Sequence, residues 1–98
     1  MITWSPRGKL RLRQCAKYIL QKSQDWSTTF NWRNKIDEAV STLEDFPESG
    51  SIVRELRRDD IRQVLVGDYR VIYRVKRRNV EILTVRHTAF LIKSLRSL

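Results

Sequence analysis

One cysteine, one histidine, two prolines and three glycines are all that this 98-residue chain has of the residues that make staples, metal cages and sharp turns. A lone Cys15 excludes an intrachain disulfide and any cysteine-cluster metal site, and it fits a reducing compartment. Cys15 sits beside Ala16 and Ile19 in a helical pattern, the setting of a small buried hydrophobe rather than of a nucleophile. No N-terminal run has a signal-peptide layout, and no apolar run approaches the roughly 18 residues of a membrane span. A cytoplasmic protein with no membrane partner is therefore expected. No glycine-rich phosphate loop, metal-ligand cluster or Ser/His/Asp set is readable from spacing, so neither a metal nor a cofactor is expected. Acidic residues are also scarce. Eleven Asp and Glu stand against 20 Lys and Arg, for a net charge of +9 and a pI near 10.5. Such a balance in a small domain points to an acidic partner: nucleic acid, a ribosome, an anionic surface or an acidic protein.

What the chain does have is a stretch of alternation from Ile61 to His87, IRQVLVGDYRVIYRVKRRNVEILTVRH. Three runs rich in β-branched and aromatic residues are broken at Gly67-Asp68 and at Arg77-Arg78, which predicts an antiparallel meander. Gly67 stands first in its two-residue loop, as a type II′ hairpin turn requires. Pairing through these loops sets Val66 opposite Tyr69 and Val75 opposite Val80. One face then carries Val64, Val66, Val71, Tyr73, Val75, Val80, Ile82 and Thr84, and is expected to hold the core. The other carries Gln63, Leu65, Arg70, Ile72, Arg74, Glu81, Leu83, Val85 and His87, a small apolar centre mixed with arginines and the one histidine. The functional residues are expected there.

Before the meander, Met1 to Trp4 suits a short strand. Ser5 and Pro6 form a helix start, and Leu12, Cys15, Ala16, Ile19 and Leu20 recur at helical spacing, predicting a helix from Pro6 to Ser23. Trp32, Ile36, Ala39, Val40 and Leu43 mark a second helix, ending near Asp45 because Pro47 disfavours helix just before it. Ile52 to Leu56 reads as a short strand, and Arg57 to Asp60 as a charged turn. After His87, Phe90, Leu91, Leu95 and Leu98 are spaced to line a short helix over the mixed face, or a tail that orders on a partner. Ninety-eight residues leave room for one domain, residues 1–98. The expected fold is α+β: an N-terminal strand, then an α-helical hairpin packed on a largely antiparallel sheet (β-α-α-β-β-β-β).

On the mixed face this register sets Arg70 opposite Val85, with His87 diagonally adjacent. Arg74 faces Glu81 as a cross-strand ion pair. Metal-free phosphate cleavage needs cationic stabilisation, a base and an acid. Arg70 has the charge for the first role. Glu55 and His87 are the candidates to exchange protons, since His87 is the one side chain here with an ordinary pKa near neutrality. The plain alternative is an arginine in contact with a partner and a histidine that packs at a strand end.

Taken together, several segments resemble the RelE/ParE superfamily of bacterial toxins from type II toxin–antitoxin pairs. They are Trp4-Ser5-Pro6, the two helices, Pro47…Gly50, Val53-Arg54-Glu55-Leu56, Arg62, Gly67-Asp68-Tyr69-Arg70-Val71-Ile72-Tyr73-Arg74-Val75 and Val80-Glu81-Ile82-Leu83-Thr84-Val85-Arg86-His87. The resemblance implies a toxin that arrests growth, of the kind associated with plasmid stabilisation, held inactive by a cognate acidic antitoxin. RelE-like members cut mRNA on the ribosome without a metal, the RNA's own 2′-hydroxyl attacking. ParE-like members share the fold and inhibit DNA gyrase. Arg70 matches the sheet arginine of the nucleases. However, no tyrosine follows His87, and Arg62-Gln63-Val64-Leu65-Val66 lacks the paired lysines of some of them. Glu55 and His87 fill such a set only in part, and the Pro…Gly…Arg-Glu-Leu and Val-Arg-His layout is closer to the ParE-like branch. The expected function is thus gyrase inhibition. A ribosome-dependent mRNA endonuclease using Arg70, Glu55 and His87 is the alternative, and a non-toxic basic nucleic-acid-binding domain is the third reading. Residues expected to contact a partner are Arg70, Ile72, Arg74, Leu83, Arg86 and Phe90.

Overall fold

The structure, a computed structural model, describes residues 1–98, the side chain of Ser97 excepted. Its elements are β1 (Ile2–Trp4), α1 (Pro6–Ser23), α2 (Trp26–Asp45), β2 (Ser51–Ile52), β3 (Ile61–Val66), β4 (Tyr69–Lys76), β5 (Asn79–His87) and a short 3₁₀ turn (Leu95–Ser97). The sheet order is β1-β5-β4-β3-β2. β1 runs parallel to β5, and the remaining pairs are antiparallel.

The helices begin and end where their capping chemistry lies. The Ser5 hydroxyl accepts the Gly8 N–H at 2.9 Å, and Pro6 takes the first helical position. α1 stops at Gln24, whose left-handed backbone (φ 54°) sends its N–H back to the Leu20 carbonyl. Asp25 caps α2 by accepting the Ser27 N–H at 3.0 Å and the hydroxyls of Ser27 and Thr28 at 2.9 Å. These bonds to its charged form lower its carboxyl pKa. In the meander Gly67 alone takes a positive φ in the first loop (58°), as the first residue of a type II′ turn must. Arg77 and Arg78 both sit at positive φ in the second.

Val66 pairs with Tyr69 and Val75 with Val80, as the two loops predict. Between Tyr73 and Ile72 the β4–β5 register shifts: Tyr73 faces Ile82, but Ile72 faces Thr84, leaving Leu83 unpaired as a bulge. The bulge corrects the expected faces beyond that point. Arg70 stands opposite Arg86 instead of Val85, and Thr84 moves to the mixed face. Val85 joins the helix-side core, and His87 faces Tyr69 of that core. The cause is tertiary. The start of α1 docks on β5 at the bulge, the Ser5 hydroxyl donating to the Leu83 carbonyl at 3.2 Å and the Ser5 N–H to the Ile82 carbonyl at 2.9 Å. Gly8 comes so close that a Cβ there would lie 2.6 Å from the Ile82 oxygen.

Two cores result. On the helix side, Leu12, Ile36, Val40 and Leu43 pack on Val66, Tyr69, Val71, Tyr73, Val80, Ile82 and Val85. On the other side Val53, Ile61, Ile72 and Ile92 are all fully buried, with Leu56, Leu83 and Leu98 around them. Two expectations about this second layer change. The strand after Gly50 is only Ser51–Ile52. The chain then turns, Leu56 and Arg57 donating to the Val53 carbonyl at 3.1 and 3.3 Å, so Glu55 sits on a turn rather than a strand. The tail is extended instead of helical up to its 3₁₀ turn. Its anchor is Ile92, while Phe90 and Leu91 remain exposed.

Candidate functional site

Arg70 rises from the middle of the mixed face and is 6% exposed. One guanidinium nitrogen donates to Glu55 Oε2 at 2.8 Å and to the Phe90 carbonyl at 2.6 Å. The other donates to Gln63 Oε1 at 3.0 Å and to Glu55 Oε1 at 3.5 Å. Glu55 thus grips Arg70 with both oxygens, the geometry that makes arginine–carboxylate pairs strong. It also accepts the Ile92 N–H at 3.1 Å. The Arg70 bond holds the Glu55 carboxyl down to about 2, against the opposing effect of burial. A carboxylate this stabilised is a weak proton acceptor.

Of the residues expected to act with Arg70, the structure brings together Glu55 and the Phe90 backbone, and not His87. Past the bulge, His87 turns to the helix side, its ring edge-on to Tyr69 at 5.3 Å between centroids. Its Nδ1 accepts the Ala89 N–H at 3.0 Å. Ile72 is fully buried under the tail, so a partner reaches it only if the tail moves. Arg74 stands across from Glu81 in register, but its guanidinium turns to Asp60 at 3.7 Å in place of the expected cross-strand pair. Asp60 already holds Arg58 at 2.8 Å. Leu83 is half-buried at the bulge. Arg86 lays its guanidinium over the exposed Phe90 ring, 4.6 Å from its centroid.

Arg86 also marks a second feature, a cleft of about 470 Å³ between α1 and the end of β5, with Arg11, Cys15, Tyr18, Tyr69, Arg86 and His87 among its walls. Burial raises the Cys15 thiol's pKa, with Arg86 opposing. Its Sγ lies 3.6 Å from the Val85 carbonyl, so it is a packed, protonated thiol rather than a nucleophile. Sequence reasoning missed Gln63 as an Arg70 partner although it lay on the same predicted face. Arg11 and Tyr18 were hidden among the polar positions of α1, and Ile92 gave no signal. Among the described residues, no group of three or more His, Cys, Asp or Glu could hold a metal ion. No helix there is long and apolar enough to cross a membrane.

Residues 2–91 match the family described as the ParE toxin of the type II toxin–antitoxin system parDE. A chain of a chromosomal ParDE system from P. aeruginosa superposes with a TM-score of 0.71 at 15% identity, covering 88% of this chain and 92% of that one. A chain of the heterotetrameric YoeB–YefM toxin–antitoxin complex from Staphylococcus aureus gives a TM-score of 0.54 at 17% identity, covering 89% and 94%. At these identities the superpositions speak for the fold alone, and no curated protein sequence matches the chain. The family match over nearly the whole length decides the affiliation: the chain belongs to the ParE toxin family of type II toxin–antitoxin systems, within the RelE/ParE superfamily.

Proposed function

We propose that this ParE-family chain, acting as one domain in the cytoplasm, arrests growth by binding DNA gyrase as a protein–protein inhibitor, and that a cognate acidic antitoxin neutralises it. The observation that carries the choice over RNA cleavage is the closure of Arg70. Its guanidinium is committed to Glu55, Gln63 and the Phe90 carbonyl. The candidate base is held near a pKa of 2, and the candidate acid His87 lies on the other face of the sheet. A metal-free nuclease needs all three groups converging on one phosphate, and here they diverge. The net charge of +9 favours an acidic neutralising segment and fast, salt-sensitive association with it.

Purified protein added to a gyrase supercoiling assay is expected to inhibit, and unimpaired supercoiling at high molar excess rejects the reading. Arg70→Ala and His87→Ala discriminate further. The gyrase reading expects His87→Ala to leave toxicity intact at equal expression, whereas a nuclease loses it with either change.

A further inference from the structure

We propose that the groove between α1 and the outer edge of β5 is a docking site for a carboxylate-rich segment with a bulky apolar side chain, supplied by a partner protein. That the partner is the antitoxin rests on the function proposed above. Four observations support the groove itself.

The first is charge without compensation. α1 carries six Lys and Arg (7, 9, 11, 13, 17 and 22) and no Asp or Glu. Arg7, Arg11, Gln14, Tyr18 and Lys22 recur at intervals that place them along one side of the helix. Arg11, Gln14 and Tyr18 of that ridge line the cleft with Arg86. Among the described residues, neither Arg11 nor Arg86 forms an ion pair, whereas Arg7 is engaged by the tail, donating to the Arg96 and Leu98 oxygens. The second is unmet hydrogen bonding. Nε of Arg11 and Nε of Arg86 are both buried without a partner, a state that costs free energy until an acceptor arrives. Burial, and next the charge of Arg11, push the Arg86 pKa down, so the two guanidiniums feel each other. The third is the floor. Tyr69, Val85 and Cys15 give the cleft an apolar base and Tyr18 and Phe90 give it aromatic sides, which suit one large apolar side chain set between carboxylates. The fourth is the strand edge. β1 covers β5 only at Val80–Ile82; beyond it the edge is met by the start and side of α1, the Ser5 and Cys15 side chains reaching the Leu83 and Val85 carbonyls, so the groove is walled by α1 and β5 together.

The third observation favours a peptide over a nucleic acid. A strand of phosphates wants cations along its whole track with faces for stacking. Here the cations flank a single apolar pocket.

The test titrates the full-length protein with a fluorescein-labelled peptide alternating glutamate with leucine, and in parallel with a labelled oligouridylate. Peptide binding is expected to weaken about tenfold or more in Arg11→Glu/Arg86→Glu, the scale of removing two charge-assisted hydrogen bonds. A smaller loss is expected in Arg11→Gln/Arg86→Gln, which removes the charge without reversing it and serves if the first pair fails to fold. The charge-matched control Arg13→Glu/Lys17→Glu, both exposed on the far side of α1, is expected to bind as wild type. An equal loss in the control, no loss in either Arg11/Arg86 variant, no peptide binding, or tighter oligouridylate binding through Arg11 and Arg86 each overturns the proposal. The product of the adjacent reading frame supplies the last arm. If it forms no complex with the wild-type protein, the antitoxin reading falls while the peptide titration still judges the groove. If it binds wild type and the Arg11/Arg86 variants alike, the groove falls while the antitoxin reading stands.

Discussion

Arg70 and Arg86 face each other across β4 and β5, and their circumstances are opposite. Arg70 is buried and held by a carboxylate, an amide and a backbone carbonyl. Arg86 is half-buried with an aromatic ring for company and a second arginine nearby. A guanidinium taken from water needs acceptors to replace it. The chain provides them for both terminal nitrogens of Arg70, leaving only its Nε without one, and none for Arg86, so one arginine of the pair serves the architecture and the other is left for a visitor. The bulge at Leu83 decides which neighbours each one has.

Breaking the first half of that contrast carries the largest expected effect. Glu55→Ala strands Arg70 in the second core and is expected to cost about 3 kcal/mol, read by urea denaturation. A loss below about 1 kcal/mol means that Arg70 finds water and that the pair is dispensable. The same pair predicts acid behaviour. The folded Glu55 pKa is depressed from 4.5 to about 2. Its contribution is therefore complete above 4.5 and disappears as pH falls toward 2. In Glu55→Gln that part of the acid dependence is expected to vanish.

Next is the tail that closes over Arg70. Ile92→Ala, at a fully buried position, is expected to cost about 2–3 kcal/mol. It is also expected to speed amide exchange at residue 92 and at its neighbours while leaving α1 and α2 protected. Uniform acceleration throughout the chain defeats the idea of a tail docked as a separate layer.

The smallest effect belongs to the other arginine. Arg86→Ala is expected to change stability by no more than about 0.5 kcal/mol, because it removes a group without acceptors. A loss comparable with that of Glu55→Ala erases the contrast between the two.

Much of this fold was legible. The capping residue Ser5, the glycine at 67 and the alternation through Tyr69–Lys76 are local signals, and local chemistry determines those elements. The bulge was legible only as a doublet: Val80-Glu81-Ile82 alternates, Leu83 follows as a second apolar residue, and Thr84-Val85-Arg86 resumes the alternation one step out of phase. The extra residue is demanded by the docking of Ser5 and Gly8, which lie far back at the start of the chain. Glu55 was expected on a strand for a similar reason: a turn in which Arg57 takes φ 52° has no glycine to announce it. The site was therefore half visible. The residue types around Arg70 could be named, but which of them met depended on one unpaired leucine and on a tail whose anchor, Ile92, carries no pattern.

The parallel pairing of β1 with β5 also bears on how the molecule comes into being. Ile2, made well before β5, finds its partner in Val80. Closing so long a loop is slow compared with forming the helical hairpin or the meander. During synthesis, then, the helices can form early, but the sheet stays without its outer strand until β5 has left the ribosome. The seat for Gly8 on β5, and the groove beside it, come into existence only with that late closure. A binding partner that recognises this groove consequently distinguishes a finished molecule from a nascent one.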